Sequence, residues 1–218
     1  MSQVPFNRIV TFGCSHTYGH GLADCHILPL GRAGPTPSKF VWPELVGQEF
    51  KIVVVNMSRP AASNIEILSR ILEFDFLEND LVIVQWTHTA RDMLFNVSGN
   101  QQLGPGFPEK YTSNNKDYYM IHNEYDSLIR SLFHIHHGDM FFKYKKLNYI
   151  HYMHETEITR INIIKSAKFN WFDIPLNSFK LKSIEIDLAD DGNHSGPKTQ
   201  IEVSKYIISL IKEKYEKH

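Results

Sequence analysis

Ser15 follows shortly after an apolar run, Ile9-Val10-Thr11-Phe12, within the segment Gly13-Cys14-Ser15-His16-Thr17. Far along the chain, Asp191 and His194 stand three residues apart in Asp191-Gly192-Asn193-His194. A serine hydroxyl is a poor nucleophile until a base takes its proton. An imidazole serves as that base best when a third group fixes its tautomer. These residue types can supply a nucleophile, a general base and an orienting carboxylate. Each also has a plainer reading: a serine after a strand often caps a helix, and Asp-x-x-His is common in loops. Asp190 stands beside Asp191, and either carboxylate could orient His194.

The surrounding pattern predicts how such residues could meet. Residues 8–12 read as a buried strand that ends at Gly13. Ile52-Val53-Val54-Val55-Asn56 and Leu81-Val82-Ile83-Val84-Gln85 are further β-branched runs of the kind that suit a parallel sheet covered on both faces. Between them, Ser38 is a candidate cap for a helix to about Phe50. Ser63 is a second, for a helix through Phe76 with Ile67, Leu68, Ile71 and Leu72 at helical spacing. Alternating strands and helices imply right-handed crossovers. The expected architecture is a three-layer α/β/α fold, a doubly wound parallel sheet of about five strands in flavodoxin-like order. Ligands in such sheets bind outside the carboxyl ends of the strands. Ser15, Ala61 and Thr87 or His88 all fall just past such ends.

The rest of the chain is read more coarsely. Residues 19–38, rich in Gly and Pro, are expected to form a surface loop beside the site. Residues 96–117 are expected to form a lid or substrate-side loop. Tyr118 to Lys146 carries a helical pattern with Gly138 as a candidate interruption. Residues 148–152 read as a fourth strand, 158–166 as a short helix, and 183–186 as a short strand or extended segment. Pro197 fits the first turn of a last helix. Its expected apolar face holds Ile201, Val203, Tyr206, Ile207, Leu210 and Ile211.

The chain has 218 residues, 42% hydrophobic and 22% charged, with a formal net charge of −1. This length suits one α/β domain over residues 1–218. The near-zero charge gives no electrostatic footprint for nucleic acid or an anionic membrane. No stretch approaches the roughly 18 apolar residues of a membrane helix, and the first residues carry no signal-like pattern. The two cysteines, Cys14 and Cys25, suggest no disulfide framework and fit a reducing, cytoplasmic setting. Neither a phosphate-binding glycine loop nor a Gly-x-Ser-x-Gly elbow is present.

The two end segments resemble the SGNH (GDSL-like) hydrolase family. Gly13 and Ser15 are similar to its first block, although Cys14 stands where Asp is common. Asn56-Met57-Ser58-Arg59-Pro60-Ala61-Ala62-Ser63-Asn64 resembles its second block, with Ala61 in the place of the family glycine. The third block, usually Gly-x-Asn-Asp, is matched only by Gln85-Trp86-Thr87-His88-Thr89-Ala90-Arg91, which lacks the asparagine. The resemblance implies a nucleophile at Ser15, a base at His194 and its partner at Asp191. It implies an oxyanion hole of backbone N–H groups at Ser15 and Ala61, aided by Thr87 or His88. No organic cofactor and no metal are implied.

Other residues are candidates for the substrate side: His16, Arg59, Trp86 and Arg91. The arginines could pair with a substrate anion or with a protein carboxylate, Asp92 being one candidate for Arg91. Trp86 could form core, cleft wall or a stacking surface. His134, His136 and His137 are expected to be histidines on a helix surface rather than a metal site. The resulting expectation is a serine esterase or acyl hydrolase acting on a small-molecule or glycan ester. The alternative is a glycan- or protein-binding module of the same fold with a weakened oxyanion hole.

Overall fold

The computed structural model describes residues 4–27, 31–94, 101–103, 123–154, 156–159, 161–162, 172–179 and 185–216. Its named elements, in chain order, are β1 (Arg8–Phe12), α1 (Ser15–Tyr18), β2 (His26–Ile27), β3 (Arg32–Ala33), α2 (Trp42–Phe50), β4 (Val53–Asn56), α3 (Asn64–Glu73), β5 (Asp80–Trp86), β6 (Asp92–Leu94), β7 (Gln101–Leu103), α4 (Glu124–Lys145), β8 (Asn148–His154), β9 (Asn177–Phe179) and α5 (Pro197–Tyr215).

Five strands form one sheet in the order β4-β1-β5-β8-β9. Every neighbouring pair in it is parallel. This is the flavodoxin-like order expected from the alternation of strands and helices. β5 lies at the centre and is buried at every position, because helices cover both faces of the sheet.

The period-two alternation of the strands divides the core. Ile9, Leu81, Ile83, Ile150 and Tyr152 pack with Trp42 and Val46 of α2 and with Val203, Ile207 and Ile211 of α5. Val10, Phe12, Val82, Val84 and Trp86 pack with Ile67 and Ile71 of α3 and with Leu132, Ile135 and Phe142 of α4. Arg8 and Asp80 join the entries of β1 and β5 through two hydrogen bonds of 2.7 and 2.6 Å.

Several boundaries differ from the sequence reading. The second helix starts at Trp42, not Ser38: Pro43 occupies its first turn, while the Ser38 hydroxyl donates to Asp24 at 2.5 Å. The loop of residues 19–38 contains the small antiparallel pair β2–β3. α4 runs through Gly138 without a break. That glycine allows close packing, since an added Cβ would meet the Trp86 ring at 3.1 Å. The fifth strand is β9. Of residues 183–186, read as a short strand or an extended segment, 185 and 186 are described, and neither lies in a strand. Asp187, just beyond, instead accepts the Thr199 and Lys198 N–H groups at 2.9 and 3.1 Å and so caps α5. Ile201 is solvent-facing at 44% exposure, outside the buried stripe of α5. Most of the expected lid, and most of the helix expected over 158–166, lie outside the described residues. No helix among the described residues is long and apolar enough to cross a membrane.

Candidate active site

The first strand delivers Ser15 through a tight turn. An added Cβ at Gly13 would stand 2.8 Å from Thr17 Cβ, so the turn closes only around glycine. Cys14, in extended conformation, is the N-cap of α1, and Ser15 is the first residue of that helix. The Ser15 hydroxyl is therefore not in the capping position that a serine after a strand often takes. Its N–H is also beyond the reach of any helical carbonyl, as for every first-turn residue. The Ser15 carbonyl accepts from the N–H groups of Gly19 and His20 at 2.9 and 3.1 Å, which folds His20 back over α1. Ser15 itself is buried.

The segment after β4 is fastened to this turn. Met57 N–H donates to the Thr11 carbonyl at 2.8 Å, and Arg59 N–H to the Gly13 carbonyl at 3.1 Å. Asn56 Nδ2 donates to the Thr17 carbonyl at 2.7 Å. Ala61 adopts φ +63°, the left-handed region that glycine occupies freely and alanine only at a cost. The position that the resemblance assigns to a glycine thus has a glycine-like backbone conformation with an alanine side chain. Ser63 caps α3, accepting from Glu66 N–H at 3.4 Å. Arg59, half exposed, pairs with the buried Glu66 at 3.0 Å.

Asn64, the first residue of α3, clamps the exit of β5. Its Oδ1 accepts the Thr87 N–H at 2.8 Å, and its Nδ2 donates to the Thr87 carbonyl at 3.2 Å and to Ser131 Oγ at 3.1 Å. Gln85, two residues earlier, accepts a hydrogen bond from the Thr17 hydroxyl. The exits of β1, β4 and β5 are joined by side chains from all three segments.

Beyond β5, the Thr87 hydroxyl accepts from Arg91 Nη1 at 3.1 Å. His88 Nδ1 lies 3.3 Å from the buried Glu157, whose other oxygen accepts the Thr89 hydroxyl at 2.7 Å. Burial works to raise the Glu157 pKa, but His88 and Thr89 outweigh it and hold the carboxyl at about 2. Trp86 is 1% exposed, and its indole donates to His151 Nδ1 at 3.1 Å. It is a core residue with no face to offer a substrate, contrary to one of the expectations above.

Asp191 and His194 form a dyad, with His194 Nδ1 2.5 Å from Asp191 Oδ2. The same carboxylate accepts the backbone N–H groups of Asn193 and His194, each at 3.0 Å. Burial alone would raise the Asp191 pKa. These donors and the imidazole overcome that and hold it at about 2. Of the two neighbouring carboxylates, Asp191 and not Asp190 is the one that holds the ring. The dyad loop packs on α1 and the residues just after it: Asp190 N–H donates to the Gly21 carbonyl at 3.0 Å. The His194 ring centroid lies 5.4 Å from that of His16 and 4.5 Å from that of His20. His16 adjoins Ser15 in the chain, so the two ends of the sequence meet at α1.

His20, outside the substrate-side candidates named from the sequence, also packs on the dyad. Burial and the neighbouring His194 ring lower its pKa, and its Nε2 lies 3.3 Å from the Gly31 carbonyl. The left-handed turn at Gly19 and Gly21 is the signal that could have folded it onto the site. Among the described residues, His20, Asp191 and His194 are the group whose ligand atoms converge, all within 4.8 Å of one another. His134, His136 and His137 of α4 form no such group; His137 is exposed and its Nδ1 lies 2.8 Å from the Phe133 carbonyl.

The fold recurs in solved structures. A protein from Desulfitobacterium hafniense assigned to the lipolytic G-D-S-L family matches with a TM-score of 0.54 at 14% identity, over 94% of this chain and 99% of that one. The chain has the fold of the GDSL-type hydrolases. A second match is a carbohydrate esterase whose active site is described as having divergent catalytic and non-catalytic binding functions. Its TM-score is 0.57 at 8% identity, over 98% of this chain and 67% of that one. The psychrotrophic esterase EstA from a Pseudoalteromonas species, solved with monoethylphosphonate as inhibitor, matches at a TM-score of 0.51 and 13% identity, over 95% of this chain and 97% of that one. No family model matches the sequence, and no curated protein sequence does either. Similarity to the GDSL-type structures therefore lies in the path of the chain rather than in residue identity.

Proposed function

We propose that the chain is a serine esterase in which Ser15, His194 and Asp191 act as a triad. The observation that carries this reading is the Asp191–His194 dyad, seated on the helix whose first residue is Ser15. With Nδ1–H given to Asp191, the other ring nitrogen of His194 holds the lone pair and is the base. Ser15 Oγ attacks the ester carbonyl carbon as His194 takes its proton. Collapse of the tetrahedral intermediate expels the alcohol, which takes the proton back from His194. Water then repeats the sequence on the acyl-enzyme.

The oxyanion is held by the N–H groups of Ser15 and Ala61. The Arg59 carbonyl accepts from Ala62 N–H at 3.2 Å, so this turn is closed without using the N–H of Ala61. For the third donor, the hydrogen bonding favours Thr87 over His88. A hydroxyl that accepts from a guanidinium keeps its own proton to donate, and the positive partner strengthens that donation. A neutral His88 that gives Nδ1–H to Glu157 has only an acceptor left. The substrate class this supports is a small-molecule or glycan ester. The test is hydrolysis of p-nitrophenyl acetate, abolished in Ser15→Ala with an unchanged far-ultraviolet circular dichroism spectrum. Equal rates in the two proteins contradict the reading.

A further inference from the structure

We infer that His20, Asp191 and His194 form a binding site for a divalent transition-metal cation of the zinc type, and that occupancy of this site switches the proposed hydrolysis off. The inference rests on the triad reading for its second half only. Two imidazoles and one carboxylate are the donor set that zinc takes with a fourth position left to water. Imidazole nitrogen also selects such ions against magnesium and calcium, which prefer oxygen ligands.

The geometry is close to what the ion needs. The three ligand atoms lie within 4.8 Å of one another. Tetrahedral zinc with bonds of about 2.0–2.2 Å would hold its ligands roughly 3.5 Å apart, so rotation of the His194 side chain brings the outer atoms in by about an ångström and parts the 2.5 Å contact with Asp191. Two of the ligands are already fixed. Asp191 is held by the backbone N–H groups of Asn193 and His194. His20 is anchored at the Gly31 carbonyl and lies against the His194 ring. A backbone carbonyl on one ring nitrogen leaves the lone pair on the other, the arrangement that orients metal-binding histidines.

Hydrolysis and zinc need the same atoms. The base works through the lone pair of His194 and through the proton it shares with Asp191. A cation bound to both residues takes the lone pair and the carboxylate charge, and the Ser15 proton then has no acceptor. His20 is the ligand that stands outside the triad, so it separates metal binding from the chemistry.

The experiment is isothermal titration calorimetry of zinc chloride into chelator-treated protein, with wild type, His20→Ala, His20→Asn and His137→Ala compared. The expected result is one site in wild type with a dissociation constant on the order of 10 μM. Affinity falls at least about tenfold in both His20 variants and stays unchanged in His137→Ala. Magnesium gives no heat at this site. In parallel, p-nitrophenyl acetate hydrolysis is followed against zinc, each protein relative to its own zinc-free rate. Wild type loses activity along its binding curve and recovers it with chelator, and the His20 variants need at least about tenfold more zinc. Wild-type affinity in the His20 variants, an equal loss in His137→Ala, or full hydrolysis at zinc saturation overturns the inference. A wild type without any zinc-free hydrolysis contradicts the esterase reading instead, and the calorimetric comparison still decides the metal site.

Discussion

Gly21 backs directly onto the Asp191 carboxylate: a Cβ built on it would stand 2.7 Å from the carboxylate carbon and 2.8 Å from both oxygens. The turn that follows the proposed nucleophile therefore sets the position of the group that orients the proposed base. Gly21→Ala would push Asp191 away from this contact. Misplacement of a catalytic group by about 1 Å can cost about a hundredfold in rate, and a loss of at least tenfold in ester hydrolysis is expected. Gly31→Ala is the control, because Gly31 also has positive φ but nothing within 4 Å of an added Cβ. It should lose about 1–2 kcal/mol of stability and retain its rate. Kinetics and thermal melts of the two variants separate a steric effect on Asp191 from general loop strain.

Asp191→Asn should leave the fold in place and lower turnover about 10⁴-fold, because an amide favours the wrong imidazole tautomer. The pH dependence has a defined sign. The Asp191 pKa is depressed from 3.8 to about 2, so its contribution to stability is complete above 3.8 and disappears as pH falls through about 2. Denaturation midpoints of wild type and Asp191→Asn should therefore differ most at neutral pH and converge in strong acid. A gap that widens on acidification would contradict the assignment.

Ala61→Gly should stabilise the protein. Relief of the left-handed alanine at φ +63° is worth about 1–2 kcal/mol, against roughly 0.5–1 kcal/mol lost to the freer unfolded chain. A net gain of about 0.5–1 kcal/mol in urea denaturation is expected, with hydrolysis equal to wild type or faster. Ala61→Val should do the opposite on both counts.

Asn64→Ala removes every side-chain bond that fixes the Thr87 peptide. Leaving that N–H buried and unpaired costs about 1–3 kcal/mol. Because Thr87 is the favoured third oxyanion donor, turnover should fall by more than the stability loss explains. Thr87→Val, which keeps the Asn64 clamp, should reproduce the kinetic loss with a smaller stability loss. If neither substitution changes kcat, the oxyanion hole does not use this residue.

Much of the sheet could be read directly. β1, β4 and β5 are β-branched runs long enough to be unambiguous, and their spacing around α2 and α3 dictated parallel order. β9 was not legible, because Asn177-Ser178-Phe179 is short, polar and defined only by pairing with β8. The start of α2 was misplaced because Ser38 is a good cap in isolation, and its bond to Asp24 is a tertiary event. In the site, Ser15 and the Asp191–His194 spacing stood out through their chemistry. His20 did not: its placement depends on two left-handed glycines and on the packing of the dyad loop. The Asn64 clamp was hidden for a related reason. A buried amide that bonds a distant peptide has no local sequence pattern.

The central claim is that the Asp191–His194 dyad activates Ser15. It is tested most directly by covalent labelling with a fluorophosphonate, followed by peptide mass spectrometry. The account predicts one phosphonyl adduct per chain, on Ser15, formed rapidly in wild type and slowed by orders of magnitude in His194→Ala while the circular dichroism spectrum stays unchanged. An adduct on another serine, or labelling of Ser15 at the same rate in His194→Ala, would contradict it.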